Sequence, residues 1–181
     1  MDKRAVQEER MPDMRLVKLW ETDIRRAYEL QNTFAENEHG FVNGAYGLSF
    51  DGFKNYVKKK EEHSRGIDLP EGFVPDTVYI LEAGEDYAGI FNLRHYLNDS
   101  LRKGAGHIGY GISPRYRGRG YATEGLRLLI EIAKDIIPED EIYMHVHRDN
   151  LSSLRVQQKN GAYICRENDV EYFTRIKKAE Y

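Results

Sequence analysis

Residues 106–124 read GHIGYGISPRYRGRGYATE, and this stretch decides the fold because it joins a strand to a helix through a glycine-rich turn. Apolar residues alternate with glycine over 108–112, which predicts a strand, and Pro114 cannot continue its hydrogen-bond ladder. Gly118 and Gly120 let the backbone curl so that successive N–H groups converge on one anion. The sequence therefore predicts a phosphate-binding turn between the strand and the helix.

A helix is predicted after the turn, with its positive end directed at the same point. Apolar residues recur at helical spacing from Leu126 to Ile137, so the helix should begin near Tyr121 and stop at Pro138. The dipole at its N-terminus favours a bound anion. Three arginines add positive charge around the turn: Arg115, Arg117 and Arg119.

Two other phosphate-binding motifs were compared with this stretch. A Walker loop ends in Gly-Lys followed by Ser or Thr, and the chain contains no such run. A dinucleotide-binding fingerprint needs a third glycine where Thr123 stands, although Glu141 lies near the distance expected of its ribose-binding acid. The Walker loop is therefore excluded, and the dinucleotide fingerprint stays an alternative.

Composition predicts one soluble domain. The chain has 181 residues, of which 40% are hydrophobic, enough to bury a core without disulfides or metals. We expect a single domain over residues 1–181, with the polar residues 1–13 loose. A net charge of −3 argues against bulk attraction to nucleic acid or to a membrane. We also expect a cytoplasmic protein. The chain has a single cysteine and a charged N-terminus, and it lacks an apolar run of about 20 residues.

Hydrophobic periodicity predicts strands and helices along the whole chain. Strands are expected at 15–19, 78–82, 87–93, 108–112, 142–146, 163–166 and 172–176. Helices are expected at 24–37 with Thr22 as N-cap, at 50–57, at 121–137, and at 150–159 ended by Gly161. Because a helix connects them, the strands at 108–112 and 142–146 should run parallel in a right-handed crossover.

The segment 38–49 is the least regular part of the interior of the chain. It mixes glycines with aromatic residues, a composition typical of loops. Two interpretations are open, a mobile wall over a binding groove or a plain surface loop with a few anchoring aromatic side chains.

Two motifs resemble landmarks of the GNAT family of N-acetyltransferases. The first is R-x-x-G-x-A, made here by Arg117, Gly120 and Ala122. The second is N-x-x-S, which starts at Asn150 and precedes K-x-G-A at 159–162. The order of predicted elements is similar to the family fold over essentially the whole chain. Three further runs, at 72–75, 92–98 and 106–112, resemble a branch of predicted small acetyltransferases of unknown substrate.

The resemblance implies an α/β GNAT fold, with a mixed central sheet of about seven strands, a splayed parallel pair in its middle, and about four helices. It also implies that acetyl-coenzyme A (acetyl-CoA) is bound as the acetyl donor, with its pyrophosphate on backbone amides of the turn. The cofactor-binding residues that carry over by position are Ile112, Arg117, Gly118, Arg119, Gly120, Tyr121, Ala122, Thr123, Asn150, Ser152 and Ser153. From the residues alone, a simple helix cap is the favoured interpretation of Asn150.

The implied reaction is direct attack of a primary amine on the thioester, without a covalent enzyme intermediate. Many family members protonate the departing thiolate with a tyrosine in the helix after Asn150, but that position is Gln157 here. Ser153, Tyr163 or water are the replacements considered, or the thiolate leaves unassisted.

A base is also needed, because an amine with a pKa near ~10.4 must lose its proton before it attacks. The leading candidate is His107, at the start of the strand beside the cofactor; the other interpretation is a structural histidine bonded within the sheet. Three further candidates are Glu38, His39 and His95.

Two other reactive groups are given structural roles. His145, His147 and Asp149 share one face of a strand but span roughly 13 Å, too far to converge on one metal ion. No metal is therefore expected. Cys165 has no nucleophile motif around it and is expected to be a buried or half-buried structural thiol.

The predicted function is thus an acetyl-CoA-dependent N-acetyltransferase, with a small-molecule or amino-acid-like amine as the acceptor. Two alternatives stay open: a protein or peptide N-acetyltransferase, and a non-catalytic coenzyme A sensor, which Gln157 favours. Neither nucleic acid nor a membrane is an expected partner, and a homodimer is considered.

Overall fold

The computed structural model describes residues 11–180, so most of the segment expected to be loose, residues 1–10, lies outside the described residues. The strands are β1 (Met14–Lys18), β2 (Asn37–Glu38), β3 (Phe41–Val42), β4 (Asp76–Ala83), β5 (Asp86–Arg94), β6 (Ile108–Ile112), β7 (Glu141–His147), β8 (Tyr163–Glu167) and β9 (Glu171–Lys177). The α-helices are α1 (Ile24–Gln31), α2 (Phe50–Ser64), α3 (Asp99–Lys103), α4 (Tyr121–Ile136) and α5 (Leu151–Lys159).

The strands form two antiparallel sheets that meet at β6 and β7. One sheet has the order β1-β4-β5-β6, the other β7-β9-β8, and β2 and β3 form a separate hairpin. At the start of β6 the His107 N–H donates to the Tyr143 carbonyl at 2.7 Å. Beyond that point β6 and β7 are not paired with each other in the described chain. The predicted splayed parallel pair is therefore confirmed.

The hydrophobic core has two layers, one on each face of the first sheet. Helix α4 covers one face with Leu126, Leu129 and Ile130, all fully buried. Helices α1 and α2 cover the other face, where Phe53 and Val57 are buried. Because both faces are covered, β4 and β5 are buried along almost their whole length.

The start of α1 differs from the prediction. The N-cap is Asp23, whose carboxylate accepts hydrogen bonds from the Arg25 and Arg26 amides at 2.9 and 3.0 Å. Thr22 instead donates its hydroxyl to the Leu19 carbonyl at 2.7 Å. Thr22 was therefore the wrong cap, because it closes a short 3-10 turn that precedes the helix.

The expected number and length of helices also need correction. Helix α1 ends at Gln31 rather than near 37, because the β2–β3 hairpin begins at Asn37. Helix α2 extends to Ser64, well beyond the predicted 50–57. A fifth helix, α3, occupies a link for which none was predicted, and the Asn98 side chain caps it.

Cys165 also differs from expectation, because its side chain is exposed rather than buried. It lies on β8, and its Sγ donates to the Phe173 carbonyl at 3.3 Å. Strand β8 is exposed along its whole length, since it is the edge of the second sheet.

Candidate functional site

A cleft of about 500 Å³ lies between the C-terminal end of β6, the N-terminus of α4 and one face of α5. We call it the turn cleft. All the predicted cofactor-binding residues except Arg119 line it: Ile112, Arg117, Gly118, Gly120, Tyr121, Ala122, Thr123, Asn150, Ser152 and Ser153. The structure thus brings together two sequence motifs about 30 residues apart.

The N-terminus of α4 opens into this cleft without a side-chain cap. Helices α1, α2, α3 and α5 of the described chain each have a side chain that accepts from their first turn, whereas α4 has none. Its N-cap is Gly120, in a left-handed conformation with φ +83°, which only glycine adopts without strain. The amides of residues 121–123 and the positive end of the helix dipole are therefore available to an anion in the cleft.

Arg117 and Arg119 of the turn differ in their position relative to the turn cleft. The Arg117 Nε donates to the Ile112 carbonyl at 2.8 Å, and its Nη2 forms an ion pair with Glu38. Arg117 therefore ties the turn to β6 and to the β2–β3 hairpin. Arg119 does not line the cleft, and its guanidinium lies 5.5 Å from the centre of the Tyr121 ring.

Helix α5 contributes both predicted and unexpected residues. Asn150 lines the cleft and also caps the helix, accepting from the Ser153 N–H at 3.1 Å, so both interpretations of this residue fit. Arg155 and Lys159 line the cleft as well, and sequence reasoning missed them. The spacing of four residues between Arg155 and Lys159 is the signal that places both cations on one face of the helix.

Tyr110 is a third cleft residue that the sequence analysis missed. Its hydroxyl lies 2.8 Å from the Ser153 Oγ, and its ring stacks on Phe91 at 5.5 Å. Burial raises the pKa of Tyr110 to about 12, although hydrogen bonds to Ser153 and Gln157 oppose that rise. The phenol is therefore protonated at neutral pH and faces the cleft.

The residues weighed as proton donors separate clearly in space. Gln157 is buried; its amide nitrogen donates to the His145 carbonyl at 3.3 Å, and its oxygen accepts from the Thr174 hydroxyl at 2.7 Å. Tyr163 lies on the exposed strand β8 and donates to Glu141 at 2.6 Å, away from the turn cleft. Ser153 alone of the predicted donors lines the cleft.

His107 lies outside the turn cleft. Its side chain is fully buried, and neither it nor Glu139 lines the turn cleft. Nδ1 accepts from the Tyr143 N–H at 2.9 Å, so Nε2 carries the proton and donates to Glu139 at 3.1 Å. Burial, the largest cause, lowers the pKa of the imidazole. The geometry favours the structural interpretation, a histidine that joins the two sheets.

Of the three remaining base candidates, two lie in the turn cleft and one lies outside it. Glu38 and His39 line the turn cleft, whereas His95 does not. His95 lies 2.8 Å from the Thr77 hydroxyl, and burial lowers its pKa. The His39 Nδ1 lies 3.8 Å from Asp149, and Glu38 is occupied by Arg117.

The β2–β3 hairpin spans the gap between the ends of β6 and β7. A Cβ added at Gly111 of β6 would lie 3.1 Å from the Phe41 ring, and one added at Gly40 would lie 3.1 Å from the His147 Nε2 of β7. The hairpin therefore touches both strands, and its tip holds His39. The hairpin at the start of the segment 38–49 therefore forms one wall of the turn cleft.

A second cavity of about 480 Å³ lies on the α1–α2 side of the first sheet. We call it the Asp76 pocket. Phe41 lines both this pocket and the turn cleft, so the two cavities share a wall. The lining of the pocket includes two basic residues and one acidic residue: Lys60, Arg94 and Asp76.

Over residues 11–180, no three His, Cys, Asp or Glu side chains are grouped as metal ligands. In the same range, none of the helices combines the length and the apolar character that spanning a bilayer requires.

Comparison with known proteins places the chain in a family. The family model described as an acetyltransferase (GNAT) domain matches residues 14–163, most of the chain. Among curated proteins, none matches the sequence significantly.

Solved structures share the fold at low sequence identity. The N-acetyltransferase PseH of Campylobacter jejuni, in complex with acetyl coenzyme A, has a TM-score of 0.60 at 13% identity, covering 92% of this chain and 99% of PseH. The spermidine N-acetyltransferase of Vibrio cholerae, with CoA and spermine, has 0.62 at 15%, covering 93% and 97%. RimL, a ribosomal L7/L12 alpha-N-protein acetyltransferase in complex with CoA, has 0.63 at 17%, covering 92% and 95%.

Proposed function

Since this chain belongs to the GNAT family of acetyl-CoA-dependent N-acetyltransferases, we propose that it transfers the acetyl group to a primary amine of a small, amino-acid-like molecule. The amine attacks the thioester directly, without a covalent enzyme intermediate. The fold by itself does not choose the acceptor, because similar structures are named for a polyamine and for a ribosomal protein.

The observation that carries the proposal is the uncapped N-terminus of α4 inside the turn cleft. The diphosphate of acetyl-CoA is held by the amides that follow Gly120, where the helix dipole favours negative charge. Arg155 and Lys159 of the same cleft attract the remaining phosphate of the cofactor. The pantetheine arm enters the gap where β6 and β7 are unpaired, because backbone groups there can bond its amides.

Proton transfer at the thioester is assigned to two side chains that line the cleft. Tyr110 hydrogen-bonds the departing thiolate and relays through Ser153, so the phenol comes from β6 rather than from α5, where Gln157 stands. His39, at the tip of the hairpin and beside Asp149, accepts the proton of the amine. As negative charge builds on the carbonyl oxygen, a backbone N–H at the end of β6 stabilises it.

Release of free thiol tests the proposal. The purified protein is incubated with acetyl-CoA and a panel of small amines, amino acids and peptides, and thiol is followed with time. Acceptor-dependent release with a small amine supports the proposal. Release with peptides alone supports a protein-directed enzyme. Calorimetric binding of acetyl-CoA with no release for any acceptor supports the sensor that Gln157 favours.

A further inference from the structure

We infer that the Asp76 pocket binds the acceptor and that Lys60 and Arg94 select an amine that carries a carboxylate, in preference to a polyamine or a peptide N-terminus. This inference rests on the proposed function, because it names the acceptor class of the same site. Its support comes from the position of the pocket, its charge and one unpartnered polar atom.

The pocket lies beside the reacting centre. Asn92 of β5 is paired with Gly109 of β6, so both residues face the α1–α2 side of the sheet. Nothing lies within 4 Å of the place where a Gly109 Cβ would stand. The pocket therefore has open space along β6 towards Phe41, the residue it shares with the turn cleft. An amine held in the pocket can reach the gap between β6 and β7.

The charge of the pocket favours an anion. Asp76 is paired with Lys60 at 2.8 Å, and both side chains are largely buried. Arg94 adds a second cation, and one of its guanidinium nitrogens donates to the Gly106 carbonyl at 3.1 Å. Two cations and one anion leave the lining with a net charge of +1. One carboxylate neutralises that charge, whereas a polyamine increases the repulsion.

The polar groups also match a carboxylate and an amine at its two ends. The ammonium of Lys60 and the guanidinium of Arg94 have three and five donor hydrogens, more than their described contacts use. The Asn92 Oδ1 is buried and has no hydrogen-bond partner within residues 11–180. Asn92 lies closer to the C-terminal end of β6 than Arg94 does, since it pairs with Gly109 whereas the Arg94 N–H donates to the His107 carbonyl. The Asn92 Oδ1 can therefore accept from the amine while the cations hold the carboxylate.

The rim of the pocket is apolar, which fits the body of a small molecule. Val42 and Phe73 line the pocket and are 65% and 68% exposed. Side chains of this kind cover the aliphatic part of a ligand and exclude water from it. A peptide N-terminus has an amide where the carboxylate should be, so it leaves the net charge of the pocket uncompensated.

The experiment compares matched acceptors with the full chain and acetyl-CoA. Each set holds an acid, its carboxamide and the amine without that group: leucine, leucinamide and 3-methylbutylamine, then 6-aminohexanoate, 6-aminohexanamide and hexylamine. Spermidine and a peptide amide complete the panel. We expect kcat/KM for an acid to exceed that of its carboxamide by at least about tenfold, the usual effect of a hydrogen bond to a charged group. Equal or better turnover of carboxamides, spermidine or the peptide overturns the inference.

Variants of the pocket residues test whether the Asp76 pocket causes the preference for acids. Arg94→Gln should reduce the ratio between acid and carboxamide to near one without changing the Kd of acetyl-CoA. The double variant Lys60→Gln, Asp76→Asn removes the ion pair together, so no buried charge is left alone, and should weaken acid turnover as well. Lys59→Gln, an exposed neighbour on α2, is the control. A preference that survives both pocket variants contradicts the inference.

A binding measurement separates failure of the inference from failure of the proposed function. Calorimetry with protein saturated with coenzyme A should detect 6-aminohexanoate and not hexylamine, and Arg94→Gln should abolish that heat. Acetylation of other amines with no binding of the acid overturns the inference alone. Absence of acetyl-CoA binding overturns the proposed function. In that case, binding of 6-aminohexanoate still tests whether the Asp76 pocket holds a carboxylate.

Discussion

At the scale of single residues, we propose that Tyr110 of β6 supplies the phenol that Gln157 of α5 cannot supply. Gln157 is buried, and both ends of its amide are bonded, so it joins α5 to β7 and β9. Tyr110 brings a phenol from the neighbouring strand to the adjacent Ser153. The pairing joins residues 43 positions apart, so it depends on the packing of β6 against α5 and could not be predicted from local sequence.

Tyr110→Phe removes the hydroxyl and keeps the ring that stacks on Phe91. We expect kcat to fall about 10²-fold, within the usual range for loss of an acid-base group. The Kd of acetyl-CoA should not change, because the phosphate-binding amides are untouched. Steady-state kinetics and calorimetry measure the two quantities, and unchanged kcat would show that the thiolate leaves without this phenol.

His39→Gln tests the other end of the proton path. The acceptor-dependent rate should fall about 10²-fold, and added imidazole should restore part of it, since a small base can enter the space that the side chain leaves. His63→Gln, a histidine on α2, is the matched control and should keep the full rate. A fully active His39→Gln protein would reassign the base.

The contribution of His107 to the stability of the protein should depend on pH, with a defined sign. Burial keeps its pKa below the ordinary value, so the folded protein holds it neutral while the unfolded chain protonates it near pH ~6.5. Its contribution is complete above that pH and is lost progressively as pH falls towards the lower folded-state pKa.

His107→Gln should therefore cost about 2 kcal/mol of unfolding free energy at pH 8. The difference from the natural protein should shrink as pH falls below about 6.5. Denaturant unfolding at several pH values measures it, and acetyl transfer by the folded variant should persist. A variant that is fully stable but inactive would return His107 to the role of base.

At the scale of elements, the junction of β6 and β7 determines the site. The two strands are held at their start by the His107–Tyr143 contacts and are unpaired at their ends. The strand–turn–helix unit was readable from sequence because glycines, a proline and a helical repeat are local signals. The β2–β3 hairpin could not be predicted, since strands of two residues are too short to show a hydrophobic periodicity. Helix α3 has only five residues and was missed because it is also too short.

Gly106→Ala tests this junction. A Cβ there would lie 2.3 Å from the Tyr143 carbonyl oxygen, a backbone atom that cannot move without separating the strands. We expect a loss of about 3 kcal/mol in unfolding free energy. Gly109→Ala is the control for stability, because its Cβ would meet nothing within 4 Å. Equal stability of the two variants would show that the strands do not need this close approach.

At the scale of the whole molecule, the sequence predicted the family, the order of the main elements and the backbone part of the cleft. Those features depend on amides and glycines that short motifs report. It did not predict that Tyr110, Arg155 and Lys159 also line the cleft, because these residues become neighbours only when α5 packs over β6. It also placed the base at His107, whose surroundings come from the second sheet.

The most direct test of the account is a crystal structure of the protein with acetyl-CoA. We predict the diphosphate on the amides that follow Gly120, the pantetheine between β6 and β7, and the sulfur within hydrogen-bond distance of the Tyr110 hydroxyl. Acetyl-CoA bound in the Asp76 pocket, or anywhere else away from the N-terminus of α4, would contradict the central claim.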